Sequence, residues 1–170
     1  LRGNFEAGIY GVAYRFLEAI TFVPGAFFAA LFPVFVKEEK RIKELYVKSF
    51  KVMALIGLLI FFVYFFILPE IINILLPEYS ASILAMRILS FAIPFMFLQA
   101  PAVSVLFSNE RYLNKVILFS LLTLAFNIMT NLMFIPSYGY LAASFITVAS
   151  EVLSFIIFFF VINDYLRRNL

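Results

Sequence analysis

Cysteine, histidine and tryptophan are all absent from these 170 residues. Without cysteine there are no disulfides, thiolate nucleophiles or thiolate metal sites, and without histidine the commonest metal ligand and general base are missing. The sequence also holds no glycine-rich phosphate loop, no nucleophile elbow and no close pair of acids in a loop. No catalytic residue, metal or cofactor is therefore expected. Charge is scarce as well, at 14% of residues, too little to clothe a water-soluble domain.

What the sequence has in excess is apolar surface: 65% of residues are hydrophobic and the mean hydropathy is +1.05. Uncharged runs extend from Val52 to Leu68 and from Val116 to Ile135, close to the ~20 residues that carry a helix across ~30 Å of hydrocarbon. The pattern predicts an all-α membrane protein, a single domain over residues 1–170 with about five transmembrane helices. The spans are placed at about 5–36, 44–68, 80–107, 112–135 and 138–164. Pro24 and Pro33 should kink or tilt the long first span. Pro69 and Pro77 flank the second loop, and Pro136 to Gly139 reads as a tight fourth turn. Leu1 to Gly8 lacks the form of a secretory signal, and a start on Leu reads as a piece of a longer reading frame.

Cytoplasmic loops carry an excess of Lys and Arg. Lys37, Lys40, Arg41, Lys43, Lys48 and Lys51 follow the first span, Arg111 and Lys115 follow the third, and Arg167 and Arg168 close the chain. The opposite side has only Arg2, with Glu70 and Glu78 in its later loops. The expected orientation is an external amino end and a cytoplasmic carboxyl end in a multi-pass cell-membrane protein. These cations set topology or touch anionic membrane lipids, and no nucleic-acid partner is expected.

Polar residues inside the spans carry the functional expectation. Gly8, Gly11, Arg15, Glu18, Phe22, Gly25 and Ala29 fall on one face of span one. Arg87, Ser90, Pro94 and Pro101 form a stripe on span three, with Gln99 off it as a helix contact. Span four aligns Ser120, Thr123, Asn127, Thr130 and Asn131, while span five aligns Tyr140, Ser144, Thr147, Glu151 and Ser154. Span two has no stripe after Lys51 and is expected at the periphery of a bundle with a polar interior. Small and hydroxylated residues also serve helix packing, but a charge at mid-bilayer costs ~2.5 to 3.5 kcal/mol and calls for a partner or a cavity. Arg15 and Glu18, three apart, can pair. Arg87 needs Glu18, Glu151, another part of the protein or an anionic ligand. Glu18 and Glu151 are read as coupling or ion-pair groups, with Glu151 either joined to Arg15 or Arg87 or protonated.

Tyr10-Gly-Val-Ala-Tyr-Arg15, Phe22-Val-Pro24-Gly-Ala and Ala30-Leu-Phe-Pro33 together resemble a span of the polysaccharide-exporter and flippase branch of the multidrug/oligosaccharidyl-lipid/polysaccharide superfamily. Ile74-Leu-Leu-Pro77-Glu-Tyr79, Ala85-Met-Arg87-Ile-Leu, Asn127-Ile-Met-Thr-Asn131 and Ile135-Pro-Ser-Tyr-Gly139-Tyr-Leu-Ala142-Ala143 continue the resemblance in order. It implies a carrier of two six-helix bundles around a cavity that opens alternately to either side, this chain being the second bundle without its first helix. The implied cargo is a lipid-linked oligosaccharide or polysaccharide precursor, with Arg15, Arg87 and Asn127 as substrate contacts and the amino-terminal bundle as partner. A cation-coupled multidrug antiporter of the same superfamily, a membrane-embedded transferase and a non-transporting helix bundle are the alternatives.

Overall fold

A computed structural model describes residues 3–38 and 41–169. Arg2 and Lys40, two of the cations used to orient the chain, lie outside the described residues. Among those described there is no strand. The helices are α1 (Asn4–Ile20), α2 (Phe22–Lys37), α3 (Ile42–Phe62), α4 (Leu68–Leu75), α5 (Ile83–Ser90), α6 (Ala92–Phe107) and α7 (Glu110–Asn169). A π-helical turn, Val63–Ile67, joins α3 to α4, and a 3-10 turn, Pro77–Ser82, leads into α5. Asn4–Lys37, Ile42–Leu75 and Glu110–Arg168 are each long and apolar enough to cross a membrane, and the bent pair Pro77–Ser90 and Ala92–Phe107 makes a fourth.

The longest helix is a hairpin. A straight helix of 60 residues would reach about 90 Å, but Gly139 has φ 60° and ψ −141° and reverses the chain. Asn127 bonds Ser150, and the rings of Tyr112 and Tyr165 meet edge to face with centroids 5.1 Å apart. Both pairs are centred between Tyr138 and Gly139, so the arms run antiparallel where the Pro136 to Gly139 turn was expected. Glu6, in the first turn of α1, accepts a hydrogen bond from the Tyr140 backbone N–H at 3.2 Å, satisfying an otherwise orphaned donor at the start of the second arm. The bundle thus has five helical rods: α1 with α2, α3 through α4, α5 with α6, and the two arms of α7.

Prolines explain the interruptions, though not where the sequence placed them. A proline inside a helix has no N–H and its ring crowds the carbonyl four residues back. The first rod breaks at Thr21, three residues before Pro24, while Pro33 is accommodated within α2. The third breaks at Phe91, three residues before Pro94, with a bend of 41°. In the second rod the helix was expected to stop at Leu68. It continues through Pro69 to Leu75 instead, because the wider π turn ends just before the proline and absorbs the lost bond. The connection between the second and third rods shortens from 69–79 to the turn around residues 76–82.

α6 is the central element, packed against α2, α3 and α7. One buried cluster, with Phe35, Tyr46, Leu106, Tyr112, Phe158 and Ile162, closes the basic end of the bundle. A second, with Leu17, Met53, Tyr64, Met86, Leu89 and Phe97, fills the other half. α3 lies close to α6 because Gly57 leaves room: an added Cβ would stand 2.7 Å from Cβ of Phe97. The opposite face of α3, the π turn and α4 exposes Leu55, Leu59, Phe62, Phe66 and Ile74. Gly57→Ala should cost about 1 to 3 kcal/mol through overpacking, measured by thermal unfolding in detergent against Gly25→Ala, where nothing lies within 4 Å. Equal losses in the two variants would refute the close packing.

Candidate functional site

A polar groove runs between α1, α6 and the two arms of α7. Its middle section, a cavity of about 330 Å³, is lined by Tyr10 and Tyr14 of α1, Gln99 of α6, Ser120, Thr123, Asn127 and Asn131 of the first arm, and Thr147, Ser150, Glu151 and Ser154 of the second. Toward the Gly139 turn it meets a second cavity at Tyr10 and Asn131, which extends to Glu6 and Gly139. Toward the basic end it meets a third at Gln99, Ser120, Glu151 and Ser154, which extends to Pro24, Phe28 and Phe158. The three sections follow the second arm in sequence, with Glu151 where the middle section and the third cavity join.

Helical spacing creates this surface. Ser120, Thr123, Asn127 and Asn131 recur every three or four residues, as do Thr147, Glu151 and Ser154 with Ser150 next to Glu151, so each arm offers one polar stripe. The hairpin sets the stripes face to face. Asn127 Nδ2 donates to Ser150 Oγ at 2.9 Å, and the Tyr10 and Thr147 hydroxyls are 2.9 Å apart. Gln99 bridges to the second arm: its Nε2 donates to Glu151 at 2.8 Å and its Oε1 accepts from Ser154 Oγ at 2.6 Å. Asn131 Nδ2 donates to the backbone carbonyl and side-chain oxygen of Asn127. Each such bond contributes about 1 kcal/mol net, whereas a buried group left without one costs about 1 to 3 kcal/mol. Asn131 Oδ1 is buried with no partner among the described residues.

Of the residues singled out from sequence, Asn127 and Glu151 are brought together in the groove. Arg15 and Glu18 are exposed on α1 beside it, and neither forms an ion pair with the other or with Glu151 among the described residues. Gly8, Gly11 and Gly25 on that same face have nothing within 4 Å of an added Cβ. The stripe, which runs from α1 into α2, is thus largely uncovered. Tyr14, stacked on Tyr10 with centroids 5.5 Å apart, lines the groove beside this stripe.

The stripe expected on span three does not form. Ser90, in α5 with Arg87, is buried and its hydroxyl donates to the Arg87 carbonyl, and beyond the 41° bend at Phe91 Pro101 is buried as well. Arg87 points away from the groove, exposed, with its guanidinium carbon 5.9 Å from the centroid of Phe65. It pairs with neither Glu18 nor Glu151 among the described residues. Gln99, set aside in the sequence as a helix contact, is such a contact and lines the groove as well. Tyr10 and Tyr14 were missed as groove residues; their spacing of four, with rings stacked at 5.5 Å, is the signal that would have found them. Thr130 and Ser144 turn back onto carbonyls of their own helix.

Chemically the groove offers hydroxyls and amides that both donate and accept, two aromatic rings and one carboxylate in its middle section. Among the described residues no group of three metal-capable side chains occurs. Compared with protein-family models, with curated proteins and with solved structures, the chain has no match.

Proposed function

We propose that this chain forms five transmembrane helices, most of one six-helix bundle of a two-bundle transporter, and that the transporter flips or exports a lipid-linked oligosaccharide or polysaccharide precursor by alternating access. The observation that carries the reading is the groove itself. A file of neutral hydroxyls and amides with two flanking tyrosines matches the hydroxyl-rich surface of a glycan, and it runs along helices apolar enough to lie in a membrane. The uncovered stripe of α1 supports a second bundle. Arg15 is eleven residues into a 34-residue rod, about 17 Å along it, where a charge facing lipid costs ~2.5 to 3.5 kcal/mol. A facing bundle and a hydrated space between the two remove that cost, and they place Arg15 at the groove mouth, suited to an anionic headgroup. The clustering of cations at one end of the bundle supports a cytoplasmic carboxyl end and an external amino end.

One observation favours a second reading, a cation-coupled multidrug antiporter: the sole acid lining the middle of the groove is Glu151. The test uses protein purified from its native membrane and reconstituted in proteoliposomes with a fluorescent lipid-linked oligosaccharide. Translocation is scored by protection from an impermeant quencher. Asn127→Leu should slow it at least tenfold, about 1.4 kcal/mol in the barrier, while Met129→Leu, outside the groove, leaves it unchanged. Oligosaccharide movement unaffected by Asn127→Leu refutes the assignment. Drug efflux driven by an ion gradient, without oligosaccharide movement, replaces it with the second reading.

A further inference from the structure

The geometry points to a binding site for an anionic phospholipid on the outer perimeter of the bundle, built on Arg87 and the π-helical turn. This site is separate from the groove and does not depend on the transport reading. Arg87 is exposed and has no carboxylate within ion-pair distance among the described residues. The group closest in kind to a partner is the ring of Phe65, 5.9 Å below the guanidinium. At that range a cation–π contact compensates a guanidinium only in part.

The surroundings are those of a lipid-facing surface. Phe61, Phe65 and Phe91 form a ring cluster with centroids 5.4 to 5.8 Å apart. Phe91 in this cluster is 50% exposed, as are Phe62, Phe66 and Leu84 of the same rods at 47%, 57% and 50%. The π turn contributes directly: it holds Tyr64 inward, where its hydroxyl donates to the Ala13 carbonyl at 2.7 Å, and presents Phe65 beside Arg87. Phe65 lies five residues from exposed Glu70, roughly 7.5 Å along the helix. A long Arg side chain spans that depth by extending toward the interface while its stem stays in apolar surroundings. A phosphate at headgroup level can then take the planar guanidinium in bidentate fashion, with the acyl chains lying on the phenylalanine surface. Charge complementarity and the apolar apron together select an anionic phospholipid over a soluble anion.

The chain has no tryptophan, so Phe66→Trp supplies a single fluorescent reporter on this face. In vesicles containing brominated lipid, the reporter should be quenched by brominated phosphatidylglycerol in preference to brominated phosphatidylcholine. A relative affinity of about fivefold is expected for one cation at the surface. Arg87→Gln should abolish the preference, and Arg87→Lys should keep part of it. Equal quenching by the two lipids with Arg87 in place overturns the proposal, as does a preference that survives Arg87→Gln. Because the first comparison leaves Arg87 unaltered, the proposal can be refuted even if the Gln variant does not fold.

Discussion

Gly139→Ala should lower stability by about 2 to 4 kcal/mol, the sum of a backbone forced into a region that is nearly glycine-only and a damaged, partly buried hydrogen bond. At φ 60° and ψ −141° a Cβ is strained in any surroundings, and here it would also collide with the Glu6 carboxylate. That carboxylate receives the Tyr140 N–H, so displacing it uncaps the second arm of α7. The hairpin holds the two polar stripes in register, and groove-dependent activity should fall together with stability. Thermal unfolding in detergent measures the effect, with Gly8→Ala as the control, since nothing lies within 4 Å there. Combining Gly139→Ala with Glu6→Ala removes the collision but leaves the backbone strain, so the pair should be less destabilised than the sum of the singles. Strict additivity would mean that the two residues do not meet.

The same turn shows how far the sequence could be read. Pro136-Ser-Tyr-Gly139 between two apolar runs specifies a reversal, and once the reversal is known, polar residues every three or four positions on each arm must face one another. The apolar runs are legible for the same reason: length and lack of charge are local properties. What escaped depended on phase and on backbone irregularity. Pro69 looked like a stop because a regular α-helix cannot pass it, and a π turn of Val, Tyr and phenylalanine residues leaves no mark in composition. Arg87 was expected to find an acid on another span, another part of the protein or an anionic ligand because a charge inside a span needs a partner, yet it lies exposed over the Phe65 ring. Arg15 and Glu18 have the spacing of a pair, yet spacing brings Cβ atoms near and does not oblige long side chains to meet.

Glu151→Gln should leave folding within about 1 kcal/mol of the parent, because the side-chain carbonyl of the new amide can still accept the Gln99 Nε2 proton now received by the carboxylate at 2.8 Å. This outcome separates the two roles foreseen for Glu151. Were it the counter-ion of a buried arginine, removing its charge would cost about 3 to 5 kcal/mol. Its partner among the described residues is instead an amide, itself held by Ser154. Glu151→Leu, which offers no acceptor, strands that amide and should cost about 1 to 3 kcal/mol. Function should respond in the opposite proportion. Glu151 is twelve residues beyond the Gly139 turn, about 18 Å along the second arm, at the junction of two groove sections. On the proposed transport reading, an ionisable group at this junction would take up and release a cation as the groove changes its opening. Gln retains the shape and hydrogen bond but binds no exchangeable proton, so transport by Glu151→Gln should lose its dependence on the ion gradient and slow at least tenfold while its unfolding temperature holds. Stability and gradient dependence both unchanged would remove Glu151 from any coupling role. A collapse of stability in Glu151→Gln would show that a buried cation, and not Gln99, is the group that Glu151 serves.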